Sequence, residues 1–154
     1  MIKVLVMDVD GTLTDGKIYM SEDGECMKAF HVKDGLGIRE ILPQYGILPV
    51  IITGRKSKIL EKRCQELGIR HVYQSISDKY TCMMEMTEKF QYSLSEIAFI
   101  GDDINDLLCI KSCGISGCPA DAVEEVKKSV NYICSNYGGN GAVREFIYWL
   151  CNCV

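Results

Sequence analysis

The chain has 154 residues, of which 47% are hydrophobic and 25% charged, with a formal net charge of -4. That length suits one domain (1–154) with a real core, and the acidic balance without a long basic run argues against a nucleic-acid partner. No apolar run reaches membrane-spanning length and Met1 leads straight into a strand pattern, so neither membrane association nor a signal peptide is expected.

In chain order, Ile2 to Met7 is an apolar, β-branched run that predicts a strand ending at a carboxylate. Gly16 to Phe30 reads as a β-hairpin around Ser21-Glu22-Asp23-Gly24, with Asp23-Gly24 as the turn signal. Helical spacing of apolar positions follows over Gly35 to Gln44, then a strand over Leu48 to Ile52 that stops at Thr53-Gly54. A helix over Ser57 to Leu67, a weak strand at His71 to Tyr73 and a helix over Asp78 to Phe90 come next. Glu96 to Ile100 is a third clear strand, stopping at Gly101-Asp102. Helical patterns at Ile104 to Ile110, Ala120 to Lys128 and Gly141 to Cys151 alternate with weak strands at Gly114 to Ser116 and Val130 to Ile133. This alternation predicts an α/β fold, a doubly wound parallel sheet with helices on both faces and one inserted hairpin.

Nine cysteines (Cys26, Cys64, Cys82, Cys109, Cys113, Cys118, Cys134, Cys151 and Cys153) form no C-x-x-C pair. Neither His31 nor His71 lies near the Cys109–Cys118 group to complete a zinc site. An odd count without a secretory signal points to the cytoplasm, where cysteines serve as small core residues.

In open parallel sheets, ligands collect beyond the carboxyl ends of the strands, and here the clear strands end in polar clusters. Asp8 and Asp10, at i and i+2, can face one side of extended chain, while Gly11 permits a tight turn behind them. One carboxylate can attack phosphorus while the other protonates the leaving oxygen. In Thr53-Gly54-Arg55, a hydroxyl and backbone amides at a strand end suit a non-bridging phosphate oxygen, although Thr53 taken alone reads better as a helix-entry residue, with Ser57 a competing cap. Lys79 could neutralise the nucleophile and the transferring group, where a lone lysine would otherwise read as solvated surface. Asp102, Asp103 and Asp106, with Asn105 among them, make an anionic pocket suited to Mg²⁺, with helix capping as the alternative role for Asn105 and Asp106.

These four segments, in this order, resemble the haloacid dehalogenase superfamily of phosphohydrolases. The resemblance implies a Rossmann-like fold with Asp8 as nucleophile and Asp10 as general acid, then as the base that activates water. It implies that Thr53 and Lys79 hold the phosphoryl group. Asp8, the backbone carbonyl of Asp10, and Asp102 would bind magnesium. Asp103 would assist through the metal's waters or by positioning Lys79, with Asn105 and Asp106 as supports.

The hairpin, the run Phe30-His31-Val32-Lys33-Asp34-Gly35-Leu36-Gly37 and the late Gly138-Gly139-Asn140-Gly141-Ala142-Val143-Arg144-Glu145 are similar to the capless ulosonic acid phosphate phosphatases. That branch acts on 3-deoxy-D-manno-octulosonate 8-phosphate, or on the 9-phosphates of 2-keto-3-deoxynononate and N-acetylneuraminate. The likeness implies no cap domain and a homotetramer whose hairpins help assembly while subunits cover each other's sites. Arg55 agrees better with the eight-carbon substrate. Arg55, Lys33, Arg63 and Arg144 are candidates for the sugar acid's carboxylate, and His31 is expected to be structural or at the subunit rim. The chain ends at Val154, short for a tail that would close a neighbouring site. A catalytically silent oligomerisation domain, as in acylneuraminate cytidylyltransferases, would break the motif set that is intact here. A phosphomutase would need a cap to exclude water.

Overall fold

The computed structural model describes residues 1–153; the end of the predicted tail, Val154, lies outside them. Six parallel strands form the central sheet: β1 (Val4–Met7), β4 (Leu48–Ile52), β5 (His71–Tyr73), β6 (Ile97–Ile100), β7 (Ile115–Cys118) and β8 (Tyr132–Ile133). Their spatial order is β5-β4-β1-β6-β7-β8. The chain therefore starts at the centre, winds out to one edge, and crosses β1 to build the other half. That reversal beside β1 creates the crevice where such sheets bind ligands.

Alternate residues of each strand serve different cores, as the two-residue strand period requires. Leu5, Met7, Ile51 and Ile100 pack with Leu60 of α2 (Lys58–Leu67) and with Phe146, Ile147 and Leu150 of α6 (Ala142–Cys153). Val4, Val6, Val50, Ile52 and Phe99 face Met83 and Met86 of α3 (Lys79–Phe90), Ile110 of α4 (Leu107–Ser112) and Val126 of α5 (Glu124–Lys127). Six cysteines are buried in these layers as expected; Cys26 and Cys153 are exposed instead, and Cys113 is half-buried. Among the described residues, no helix is long and apolar enough to cross a membrane.

The hairpin forms its own two-stranded sheet, β2 (Tyr19–Ser21) with β3 (Gly24–Met27). Its left-handed residue is Gly24, φ +111°, which follows the turn and opens β3, rather than Asp23 inside it. The helix expected over Gly35–Gln44 starts earlier and is broken. Its first piece, α1 (Val32–Leu36), is capped by His31, whose Nδ1 accepts the Lys33 N–H at 3.2 Å. A wide π turn follows over Gly37–Ile41 and a 3₁₀ turn over Leu42–Tyr45, where Pro43 cannot continue an α-helical ladder. The helix expected over Ala120–Lys128 shrinks to α5 because the Val123 N–H is tied to the Asp102 carbonyl at 3.0 Å.

Candidate active site

β1 delivers Asp8 to the carboxyl edge of the sheet, where its N–H donates to the Ile100 carbonyl at 3.0 Å. The chain then turns tightly, with the Val9 carbonyl accepting the amides of Thr12, Leu13 and Thr14. Gly11 sits in this loop at φ +94°, and a Cβ there would run into the Asp102 carboxylate. Thr12 is fully buried and its Oγ1 donates to Asp102 Oδ1 at 3.3 Å. Behind the loop, the Gly139 N–H donates to the Thr12 carbonyl at 3.1 Å, so the late glycine segment braces the carboxylates.

Asp78 caps α3 by accepting the Thr81 N–H at 3.0 Å, which starts the helix at Lys79. The Lys79 side chain is only 2% exposed, and its Nζ donates to Asp8 Oδ1 at 2.6 Å and Asp106 Oδ1 at 2.7 Å. Burial works against the ammonium, but the two carboxylates outweigh it and raise its pKa. The other oxygen of Asp106 accepts the amides of Asp102 at 3.1 Å and Asp103 at 3.4 Å. Lys79 is thus positioned by Asp106. Asp103, expected to assist through the metal's waters or by positioning Lys79, does not take the second role: its carboxylate accepts the Ile104 N–H at 2.7 Å and caps the turn there.

Oxygens of Asp8, Asp102 and Asp106 lie within 4.8 Å of one another. Burial first, then the charge of Asp8, pushes the Asp102 carboxyl up to about 8. The same two causes push Asp106 up to about 6 against the pull of Lys79. Three carboxylates facing one ammonium are short of positive charge, and a hard divalent cation with oxygen ligands fits that donor set. Asp106 already spends both oxygens on Lys79 and on amides, so of these three carboxylates Asp8 and Asp102 are better placed to meet an ion. The carboxylate of Asp10 does not join this cluster.

Instead, Asp10 Oδ1 lies 2.5 Å from the Nζ of Lys28, which follows β3 of the hairpin, and Arg55 Nε lies 4.0 Å from its Oδ2. Lys28 also contacts Glu25 Oε1 at 2.9 Å, and Glu25 Oε2 accepts from Ser57 Oγ at 2.5 Å. Burial lowers the Lys28 pKa, but Asp10 and then Glu25 more than offset it and leave it raised. Neither Lys28 nor Glu25 was anticipated from the sequence. A lysine and a glutamate at i and i+3 of a hairpin look like solvated surface, and no pattern marks them.

Thr53 is buried, and its backbone pairs with the Tyr73 carbonyl at 2.9 Å and the Ile76 N–H at 3.1 Å. It does not start the next helix; Ser57 does, accepting the Leu60 N–H at 3.2 Å. Asp8, Asp10, Thr53, Gly54, Arg55, Asp102, Asp103 and Asn105 line one cleft of about 160 Å³. Lys33, Arg63 and Arg144 do not line it. Lys33 and Arg144 border a separate cleft of about 740 Å³ with His31 and Asn140. The Arg144 amide donates to Asp34 Oδ1 at 2.8 Å and its guanidinium lies over Tyr148, while Arg63 lies over the Phe30 ring. The Arg144 guanidinium also reaches the Lys33 carbonyl at 3.3 Å, tying α6 to α1, while the Lys33 side chain is exposed.

Residues 67–147 match the haloacid dehalogenase-like hydrolase family. The chain is 44% identical over 144 residues to 3-deoxy-D-manno-octulosonate 8-phosphate phosphatase KdsC of Escherichia coli K12, covering 94% of this chain and 76% of that protein. It superposes with a TM-score of 0.94 on the Moraxella catarrhalis 3-deoxy-D-manno-octulosonate 8-phosphate phosphatase, solved in complex with magnesium ion, phosphate ion and KDO. That pair is 42% identical over 98% of this chain and 86% of the other. The cobalt-bound Haemophilus influenzae deoxy-D-mannose-octulosonate 8-phosphate phosphatase gives the same TM-score at 38% identity, covering 98% and 88%. With its switch-point aspartates, buried lysine and separate hairpin, the chain belongs to the haloacid dehalogenase-like hydrolases, in the group of the 3-deoxy-D-manno-octulosonate 8-phosphate phosphatases.

Proposed function

We propose that this protein is a magnesium-dependent phosphatase that hydrolyses 3-deoxy-D-manno-octulosonate 8-phosphate through an aspartyl-phosphate on Asp8. The observation that carries the reading is the buried Lys79 Nζ at 2.6 Å from Asp8, which lines one cleft with Asp10 and Thr53. Asp8 attacks phosphorus in line while Lys79 offsets the charge of nucleophile and phosphoryl oxygens. The Thr53 hydroxyl and the amides after it hold the remaining oxygens. Asp10 gives a proton to the departing sugar oxygen, then takes one from the water that opens the acyl phosphate. Asp8 and Asp102 would hold Mg²⁺, which neutralises phosphoryl oxygens and keeps them aligned for displacement. Arg55 at the rim would meet the sugar acid's carboxylate.

A cleft of about 160 Å³ is well below the roughly 300–1,000 Å³ of pockets that enclose a small molecule. It takes a phosphoryl group and an ion and leaves the sugar acid outside. A homotetramer in which a neighbouring copy covers that part would supply the missing wall, and light scattering tests it. Nine unpaired cysteines fit a reducing, cytoplasmic setting.

The direct test is phosphate release with magnesium and with EDTA, in parallel on the octulosonate 8-phosphate and the two nonulosonate 9-phosphates. Magnesium-dependent preference for the eight-carbon ester is expected. Preference for a nine-carbon ester would move the substrate assignment, and no release from any would favour a silent oligomerisation domain.

A further inference from the structure

We propose that Lys28 is a positioning residue for catalysis: from the end of the hairpin it fixes Asp10 so that one carboxylate oxygen is held and the other is presented to the leaving group. This rests on the reading of Asp10 as the proton donor. The Lys28 side chain is 2% exposed, a placement an ammonium tolerates only with anionic partners. Those partners are Asp10 Oδ1 at 2.5 Å and Glu25 Oε1 at 2.9 Å. Glu25 is anchored in turn by Ser57 Oγ at 2.5 Å, the cap of α2. The chain Asp10–Lys28–Glu25–Ser57 therefore joins the loop after β1 to the hairpin and to the start of the helix after Thr53-Gly54-Arg55. With Oδ1 engaged, Oδ2 is the oxygen left on the Arg55 side, 4.0 Å from that guanidinium's Nε. A carboxyl on a turning loop would otherwise be free to rotate, and misplacing a proton donor by about 1 Å costs up to about 100-fold in rate. The hairpin thereby contributes to chemistry within its own chain, whatever it does between chains.

The test uses the full-length protein at saturating magnesium with the octulosonate 8-phosphate as substrate. Lys28→Met is expected to lower kcat about 10–100-fold with KM within about threefold, and Lys28→Arg to recover most of the loss. In single turnover on p-nitrophenyl phosphate, whose leaving group needs no proton, acyl-phosphate formation in the methionine variant should slow less than about threefold, while its hydrolysis, which also uses Asp10, slows on either ester. An unchanged kcat on the sugar ester, a change in KM alone, an equal slowing of acyl-phosphate formation on both esters, or an arginine variant as impaired as the methionine one overturns the inference. Where Lys28→Met does not fold, Lys28→Gln keeps a polar side chain in the hairpin and the same comparisons apply. Asp10→Asn separates the two ideas. If it retains full kcat on the sugar ester, the proton-donor reading itself falls; if it loses activity while the Lys28 variants do not, only the role of Lys28 falls.

Discussion

Replacing Lys79 by methionine removes the one ammonium that pairs with both Asp8 and Asp106 and leaves two buried carboxylates facing each other and Asp102. Breaking a buried ion pair by deleting one partner costs about 3–5 kcal/mol, because the stranded charge has lost both water and its counter-ion. For a chain of this size that corresponds to a fall in Tm of about 6–20 °C. Magnesium should return part of that loss by bringing a new cation to Asp8 and Asp102. Activity should not return with it, since charge stabilisation from one fixed donor is worth about 100–1,000-fold in kcat and the ion does not occupy the lysine's place. The assays are thermal unfolding at neutral pH in EDTA and in magnesium, and steady-state phosphate release. A variant melting within about 2 °C of the parent in EDTA, or keeping kcat within about threefold, would refute the argument that Lys79 balances this cluster.

Three further perturbations probe neighbouring parts of the site. Asp8→Asn should abolish phosphate release while circular dichroism reports an intact fold, since the amide keeps the shape but cannot attack phosphorus. Substantial residual turnover would move the nucleophile elsewhere. Asp102 and Asp106 have pKa values raised to about 8 and about 6 in the fold, above the roughly 3.9 of an unfolded aspartate. The folded state therefore binds extra protons; their stabilising effect is complete below about pH 4 and is lost as pH rises through the folded values. In EDTA, Tm should fall between about pH 4 and pH 8, and the gain in Tm on adding magnesium should grow over the same range. A metal-induced gain independent of pH would contradict this. Gly11→Ala combines a left-handed backbone with a methyl placed in the Asp102 carboxylate, so a loss of about 1–3 kcal/mol and a weaker apparent magnesium affinity are expected from melting and metal titration.

The sheet and the core of the site were legible because their signals are local. A β-branched run ending at Asp8-Val9-Asp10-Gly11 announces a strand, a turn and paired carboxylates within a few residues, and Thr53 and Asp102 follow strands of the same kind. Lys79 could be named from motif order, although nothing in its own neighbourhood separates it from a solvated lysine. What the amino-acid order left open were pairings between distant segments, whose energies depend on geometry that no spacing encodes. Asp103 and Asp106 look interchangeable along the chain. Only the turn from Ile104 to Asp106 aims Asp106 at Lys79 and Asp103 at a helix start. Arg144, Lys33 and Arg63 carry the right charge for a sugar acid, but within their own chain none of them lines the cleft of Asp8: Arg144 is tied to α1 and Arg63 lies over Phe30. Lys28 is the reverse case, unmarked in sequence and buried against Asp10 in the fold. Strand ends and carboxylate spacing are consequences of local stereochemistry, so the sequence alone determined them. Which cation meets which carboxylate follows from how the hairpin and helices close over the sheet, and tertiary structure alone decided that.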